Sequence, residues 1–275
     1  MFTFLKTLLT GAGMSLLAAF PLEAAAAALS ALRLFAAGVL PALLPFSVCA
    51  LLLTAGKRLP LPALALLALP AGSPAGARLF QDAGLTRRQA RRYAACTGCM
   101  SPMFFLYTLA QGLGSPSDAR LLLAAHLLAC LLCALLFPGG GAGEARLPAL
   151  SAPQAVTQAA QAMPTVAACM MLGAAAARLM SCALPSLPAP ALAALQSLLE
   201  VTGGCRALIA LALPRRLLLP LLAACTGFTG GAILLQNAAF WRHSGLSLAD
   251  LVKIALLRAL AAFLMGELLV YLPFL

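Results

Sequence analysis

Apolar runs separated by short polar breaks set the rhythm of the whole chain. Leu121–Phe137 and Ile254–Leu272 approach the roughly 20 apolar residues that cross a bilayer. The runs predict spans over Phe2–Phe20, Ala31–Ala55, Tyr93–Gln111, Ala119–Phe137, Ala155–Ala183, Leu217–Gln236 and Leu246–Leu272. Pro41 and Pro45 remove backbone donors from the second of these and predict a kink or packed bend there. The first 20 residues carry Lys6 and an apolar core like a signal peptide, but they continue at once into further spans. We read them as an uncleaved first helix.

Two apolar stretches are too short and too broken to be ordinary spans. LPLPALALLALPAGSPAGARLF runs into Pro70, Gly72, Ser73, Pro74 and Gly76 and on to Arg78. Ala189–Leu213 is interrupted by EVTGG, Glu200–Gly204. Such lengths suggest re-entrant hairpins that enter and leave on one face. TRRQARR, Thr86–Arg92, reads as the start of a basic interfacial helix.

Within two of the spans the letters AACTG recur, as AACTGCMSP (Ala94–Pro102) and AACTGFTGG (Ala223–Gly231). Other landmarks keep the same order. Basic residues precede each copy and Gln111 and Gln236 follow. Asp118 and Asp250 open the next helices, with His126 and Arg258 eight residues further on. This ordering points to an internal repeat: 31–137, then 154–272, joined by the glycine-rich link 138–153. Counting crossings makes the second copy run opposite to the first, and inverted repeats with discontinuous helices are a transporter architecture. The expected fold is one all-α polytopic membrane domain over 1–275. It holds an inverted repeat with two re-entrant helical hairpins and two discontinuous transmembrane helices.

Composition agrees with this class. Of 275 residues 63% are hydrophobic and 9% charged, and mean hydropathy is +1.01. A soluble domain has about a quarter of its residues charged. The net charge of +11 is assigned to basic loops rather than to nucleic acid, because no basic-aromatic patch is visible. One face collects Lys6, Lys57, Arg58, Arg78, Arg87, Arg88, Arg91, Arg92, Arg146 and Arg242. The other collects Arg33, Arg120, Arg206, Arg215 and Arg216. The larger group marks the cytoplasmic face, so the N-terminus is expected inside and the C-terminus on the opposite side of a cell membrane.

Non-helical backbone at membrane depth survives only where it lines protein or a water cavity. Freed helix N-termini carry partial positive charge and unpaired N–H donors. Two breaks facing two hairpin tips therefore predict a polar pocket that prefers anions, against the plainer reading of kinked, packed helices. Its expected lining is Gly72 and Ser73 at the first tip and Thr97, Gly98 and Ser101 at the first break. The second tip offers Glu200, Thr202 and Gly203; the second break offers Thr226, Gly227, Thr229 and Gly230. Gln236 and Arg258 complete the set. Arg258 either attracts the anion or pairs with Glu267 or Asp250. Glu200 is a candidate for cation coupling or substrate contact, or a partner of Arg206. His126 reads as a packing residue, and Arg178 as snorkelling from a helix end. Most of the nine cysteines lie in apolar runs as small hydrophobes; Cys96 and Cys99 form a C-x-x-C without the context of a redox or metal site. No Ser-His-Asp set, HExxH, P-loop or paired carboxylates occur, so neither an enzyme nor a cofactor is expected.

The segments VLPALLPF (Val39–Phe46), AGSPAGARL (Ala71–Leu79), GLTRRQARRYAACTGCMSPMF (Gly84–Phe104), LEVTGG (Leu199–Gly204) and GFTGGAILLQ (Gly227–Gln236) resemble the sporulation integral membrane protein YlbJ family. That family carries the nucleoside-recognition Gate domain and looks like a compact relative of concentrative nucleoside transporters. The sequence departs from it at Thr97, Gly98 and Cys99, where the family usually places Asn and Ser after the Cys. The resemblance implies movement of dipicolinic acid toward the forespore, across the outer forespore membrane. The expected partners are a small anionic substrate and membrane lipid, with a homo-oligomer left open. A nucleoside or other organic-anion transporter, and a non-transporting scaffold for spore envelope assembly, stand as alternatives.

Overall fold

The computed structural model describes residues 2–81, 83–138 and 143–271. Positions 82, 139–142 and 272, in the expected first hairpin, link and last span, lie outside the described residues, as does the Lys6 side chain. Helix dominates throughout, and four helices are long and apolar enough to cross a membrane: Pro21–Val39, Pro116–Leu136, Ala152–Ala183 and Arg215–Ser244. This is an all-α membrane protein.

Helix α1 covers Phe2–Ala19 and α2 covers Pro21–Leu34. Pro21 starts α2 where its missing N–H costs nothing. A π-helical stretch, Phe35–Val39, leads without a break into α3, Leu40–Thr54. The second helical run thus begins ten residues earlier than the sequence suggested, because Glu23 and Arg33 did not interrupt it. Pro41 lies just past the π stretch; a proline frees a carbonyl upstream, and a π bulge is one way a helix absorbs that.

Two short helices, α4 (Leu61–Ala71) and α5 (Ala75–Leu79), form the first helix–turn–helix, with Gly72–Pro74 as its tip. Helix α6 (Arg87–Thr97) opens on a capping box between Thr86 and Gln89. After the non-helical residues Gly98–Ser101 the chain becomes helical again at Pro102, through a second π stretch (Phe104–Leu109) and α7 (Ala110–Leu113). Helix α8 is Pro116–Leu136.

Within the link, Glu144–Arg146 (β2) pairs antiparallel with Arg58–Pro60 (β1), Arg58 opposite Arg146. Then come α9 (Ala152–Ala183), a second helix–turn–helix of α10 (Ala189–Leu199) and α11 (Val201–Ala210), α12 (Arg215–Phe228), α13 (Gly230–Trp241) and α14 (Leu248–Val270). Lys253, Arg258 and Glu267 keep α14 outside the four membrane-length apolar helices.

The side-chain distribution is inside-out relative to a water-soluble bundle. Leu256, Leu260, Leu264 and Leu268 of α14 face outward, each more than half exposed, while Arg258 on the same helix is 1% exposed. On α8, Leu131, Leu135 and Leu136 face outward and His126 is fully buried. Burying cations and exposing a leucine stripe is stable only against lipid.

Two ion-pair groups tie α6, α8, α12 and α14 together crosswise. Asp118 near the start of α8 accepts from Arg215 at the start of α12, at 2.6 Å. Asp250 near the start of α14 accepts from Arg87 and Arg91 at the start of α6, at 2.9 and 2.7 Å. Each aspartate is also held in a helix cap, by Ser115 and Ser247. Burial alone would raise the Asp250 carboxyl. Bonds from the Ser247 N–H, from Arg87, from the Ser247 hydroxyl and from Arg91 outweigh it and hold the group well below the usual carboxylate range.

Candidate functional site

Each tip docks on one break. At the first, Gly72 has φ 64° and a Cβ there would lie 2.6 Å from Ser101 Cα, so only glycine lets the tip approach this closely. Ser73 N–H donates to Cys99 O at 2.7 Å, and Ser73 Oγ donates to Asn237 Oδ1 at 2.5 Å on α13. At the second, Gly204 meets Ser197 so closely that a Cβ would fall 2.2 Å from its Cα. Gly230 and Gly231 lie against the carbonyls of Ser197, Leu198 and Leu199, so the α13 N-terminus faces the last turn of α10 rather than open space.

A cavity of about 620 Å³ lies between the tips. It is lined by Ser73, Met100 and Ser101, and by Phe104, Tyr107, Thr108 and Gln111 of the stretch after the first break. Thr202, Cys205, Arg206 and Ile209 of α11 form the opposite wall, with Glu200, Gln236 and the first π stretch. Its size is that of a small-molecule site, about 300–1,000 Å³. Arg206 is its one basic lining residue and is exposed to it; Glu200 is its one acid.

Of the expected residues the cavity collects Ser73, Ser101, Glu200, Thr202 and Gln236. Gly72 and Gly203 stand beside it at the tips. The threonines of the repeated AACTG are placed differently from expectation. Thr97 donates to Tyr93 O at 2.8 Å and Thr226 to Leu222 O and Ala223 O at 3.0 Å, both fully buried. Each hydroxyl is spent on its own helix. Gly98 and Gly227 serve packing: a Cβ on Gly227 would come within 2.8 Å of Ala259 Cα. Thr226 and Gly227 are helical, so the second break is confined to Thr229, with α13 starting at Gly230.

Glu200 bonds neither to Arg206 nor outward. Its carboxylate caps α11, accepting from Thr202 N–H at 2.9 Å and Gly203 N–H at 2.6 Å. The α11 N-terminus at the second tip is therefore capped by a carboxyl group of the chain itself.

Arg258 is the second departure. It lies between the two breaks, outside the cavity lining, and pairs with neither Glu267 nor Asp250. Its Nε donates to Gly227 O at 2.7 Å and its Nη2 to Thr229 Oγ1 at 3.3 Å. Its Nη1 lies where a Cβ on Gly98 would be only 2.7 Å away. The C-terminal ends of α6 and α12 thus both point at one guanidinium, a favourable end-on dipole arrangement. His126, eight residues after Asp118 as Arg258 is after Asp250, accepts at Nε2 from Met100 N–H at 3.0 Å.

Sequence reasoning missed Arg206 as a cavity residue. The signal was present: Thr202, Cys205, Arg206 and Ile209 recur at the spacing of one helix face, as do Phe104, Tyr107, Thr108 and Gln111. Comparison of the chain with family models, curated proteins and solved structures found no match.

Proposed function

We propose that this protein transports a small aromatic organic anion, with dipicolinate as the first substrate to test. The observation that carries the reading is the cavity between the two helix–turn–helix tips and the first break, whose lining combines Arg206 with aromatic and hydroxyl groups. Arg206 supplies the fork that a carboxylate prefers. Phe104 and Tyr107 supply apolar faces for a ring. The tips are read as re-entrant hairpins and the two halves as an inverted repeat. The crosswise exchange of ion pairs, Asp118 with Arg215 and Asp250 with Arg87 and Arg91, is the pattern a two-fold pseudo-axis produces. The basic end holding Arg58, Arg87, Arg88, Arg91, Arg92, Arg146 and Arg242 is assigned to the cytoplasm, which puts the N-terminus inside. A place in the outer forespore membrane follows from the YlbJ-like segments.

One observation favours a second reading. The cavity also offers Gln111, Gln236 and five hydroxyls, a set suited to a neutral nucleoside. The two readings separate on Arg206→Gln. Losing hydrogen bonds from a charged group costs about 1.5–3 kcal/mol, or some tenfold to hundredfold in affinity. Dipicolinate affinity should fall by that factor, measured by ligand-dependent thermal stabilisation of the purified protein and by uptake into proteoliposomes. An effect on neither ligand, with wild-type binding of uridine in both proteins, would favour the nucleoside. No binding of either by the wild type would sink both readings.

A further inference from the structure

His126 is used by nothing described so far except one backbone bond, and that bond fixes its chemistry. Met100 N–H donates to Nε2 at 3.0 Å, so Nε2 is the unprotonated nitrogen and the ring proton is on Nδ1. The ring is fully buried, and Nδ1 meets no hydrogen-bond partner among the described residues. Phe105 tilts over it at 5.0 Å. Met100 and the next residue, Ser101, both line the cavity. The bond from Met100 in the first break therefore exists only while Nε2 is unprotonated.

We propose that His126 is a proton-binding latch on the first break, and that the proton is the coupling ion. Neutral His126 holds Met100 against α8. A proton added to the Nε2 lone pair makes Nε2 a donor, and Met100 N–H loses its acceptor. The imidazolium carries the charge, no bond other than N–H forms, and Met100 is released from α8 at the cavity wall. The second break has no such response, because Arg258 stays protonated and donates throughout.

The titratable and charged groups around the ring are few. On α8 they are Cys130, whose Sγ lies 3.8 Å from Nε2, and Cys133. The first broken helix contributes Cys99 and Cys96, both free thiols. Arg258 comes from α14, within range of Cys96 and Cys133. Helix α7 has none, Tyr107 of the second π stretch lines the cavity, Cys225 of α12 is a free thiol, and Arg215 is paired at the helix end. No described carboxylate forms an ion pair with His126.

The latch itself is independent of the substrate, whereas its coupling role rests on the transport reading; the experiment separates them. Amide exchange of Gly98–Ser101 is followed by mass spectrometry between pH 8 and 5.5 in the full-length protein. Exchange of Cys225–Phe228 in the same sample serves as the reference that cancels the intrinsic pH dependence. The wild type should show relative exchange faster by about tenfold at the acid end, the worth of one lost hydrogen bond. His126→Gln can still accept from Met100 but cannot take a proton, so its ratio should be flat and low. His126→Ala should be flat and high. A wild-type ratio that does not change with pH, or a His126→Gln ratio that rises as in the wild type, overturns the latch. In proteoliposomes a pH gradient should drive dipicolinate uptake by the wild type and not by His126→Gln, which should retain dipicolinate exchange. Gradient-driven uptake by His126→Gln overturns the coupling role. A pH-sensitive latch without any dipicolinate uptake or exchange supports the latch and overturns the substrate reading alone.

Discussion

The two AACTG segments are identical in sequence and different in structure. In the first, α6 ends at Thr97 and four residues, Gly98–Ser101, leave the helix. In the second, all five letters are helical, and only Thr229 turns out, at φ 69°, before α13 begins at Gly230. The repeated letters do not encode the break; the residues after them do. Pro102 disfavours helix at Ser101 and then starts the next helical stretch well. Gly230 permits a positive φ, and Thr229, a β-branched residue for which this conformation is costly, is held there. The partners differ as well. The first break gives an N–H to a neutral histidine, and the second gives a carbonyl and a hydroxyl to a permanent cation. One half is built to change with protonation and the other to stay closed.

The largest effect on this comparison should come from Arg258→Met. It removes two bonds from a charged donor and leaves Gly227 O facing apolar surroundings. Each such bond is worth about 1.5–3 kcal/mol, so we expect a loss of roughly 3–4 kcal/mol after allowing for relief of the buried charge. Thermal unfolding in detergent should show it, with faster exchange at both breaks. Arg258→Lys keeps the charge but not the fork and should fall between. A variant as stable as the wild type would mean that the guanidinium is not what closes the second break.

A smaller effect should separate the two crosswise ion-pair groups. Asp250 is 7% exposed and accepts from two arginines and from Ser247, whereas Asp118 has one half-exposed arginine. Asp250→Asn should cost about 1–2 kcal/mol, and Asp118→Asn under about 1 kcal/mol. The sign with pH follows from the depressed Asp250 carboxyl. Its contribution is fully present above the unfolded value, about pH 3.9, and is lost as pH falls through the lower folded value. The stability gap between wild type and Asp250→Asn should therefore be flat from pH 8 to 5 and shrink only in strong acid. Equal gaps for the two aspartates would remove this asymmetry between the halves.

Much of this architecture was legible as spacing. Apolar length marked α8 and α9, and the Gly-Ser-Pro and Glu-Val-Thr-Gly clusters marked both tips, because these residues resist helix wherever the surroundings allow it. The basic helix start at Thr86 was read from TRRQARR, whereas the N-caps Ser115 and Ser247 were not used as signals. What could not be read was the direction in which polar side chains turn. Thr97 and Thr226 look like ligand hydroxyls in a string of letters, and only the helix register shows that each bonds the turn behind it. Arg258 looked like a substrate contact because burial and cavity lining are indistinguishable in sequence. Glu200 was found as important and misread in role, since a cap is decided by the backbone angles at one residue.

The smallest effect should come from those two threonines, and it tests the placement most directly. Valine has the shape of threonine without the hydroxyl. At Thr97 the hydroxyl bonds Tyr93 O, and at Thr226 it bonds Leu222 O and Ala223 O, four and three residues back on the same helix. Such carbonyls can keep backbone partners within the helix, so removing the hydroxyl orphans no donor and leaves little unsatisfied. Thr97→Val and Thr226→Val should each change stability by less than about 1 kcal/mol, and dipicolinate affinity by less than about twofold. Ser101→Ala, which removes a hydroxyl at the cavity wall, should weaken binding more than either. A tenfold loss in Thr97→Val with unchanged stability would mean that the hydroxyl turns into the cavity when ligand is bound. The first break would then be a binding surface as well as a latch, and the difference between the two breaks would be wider than their resting structures show.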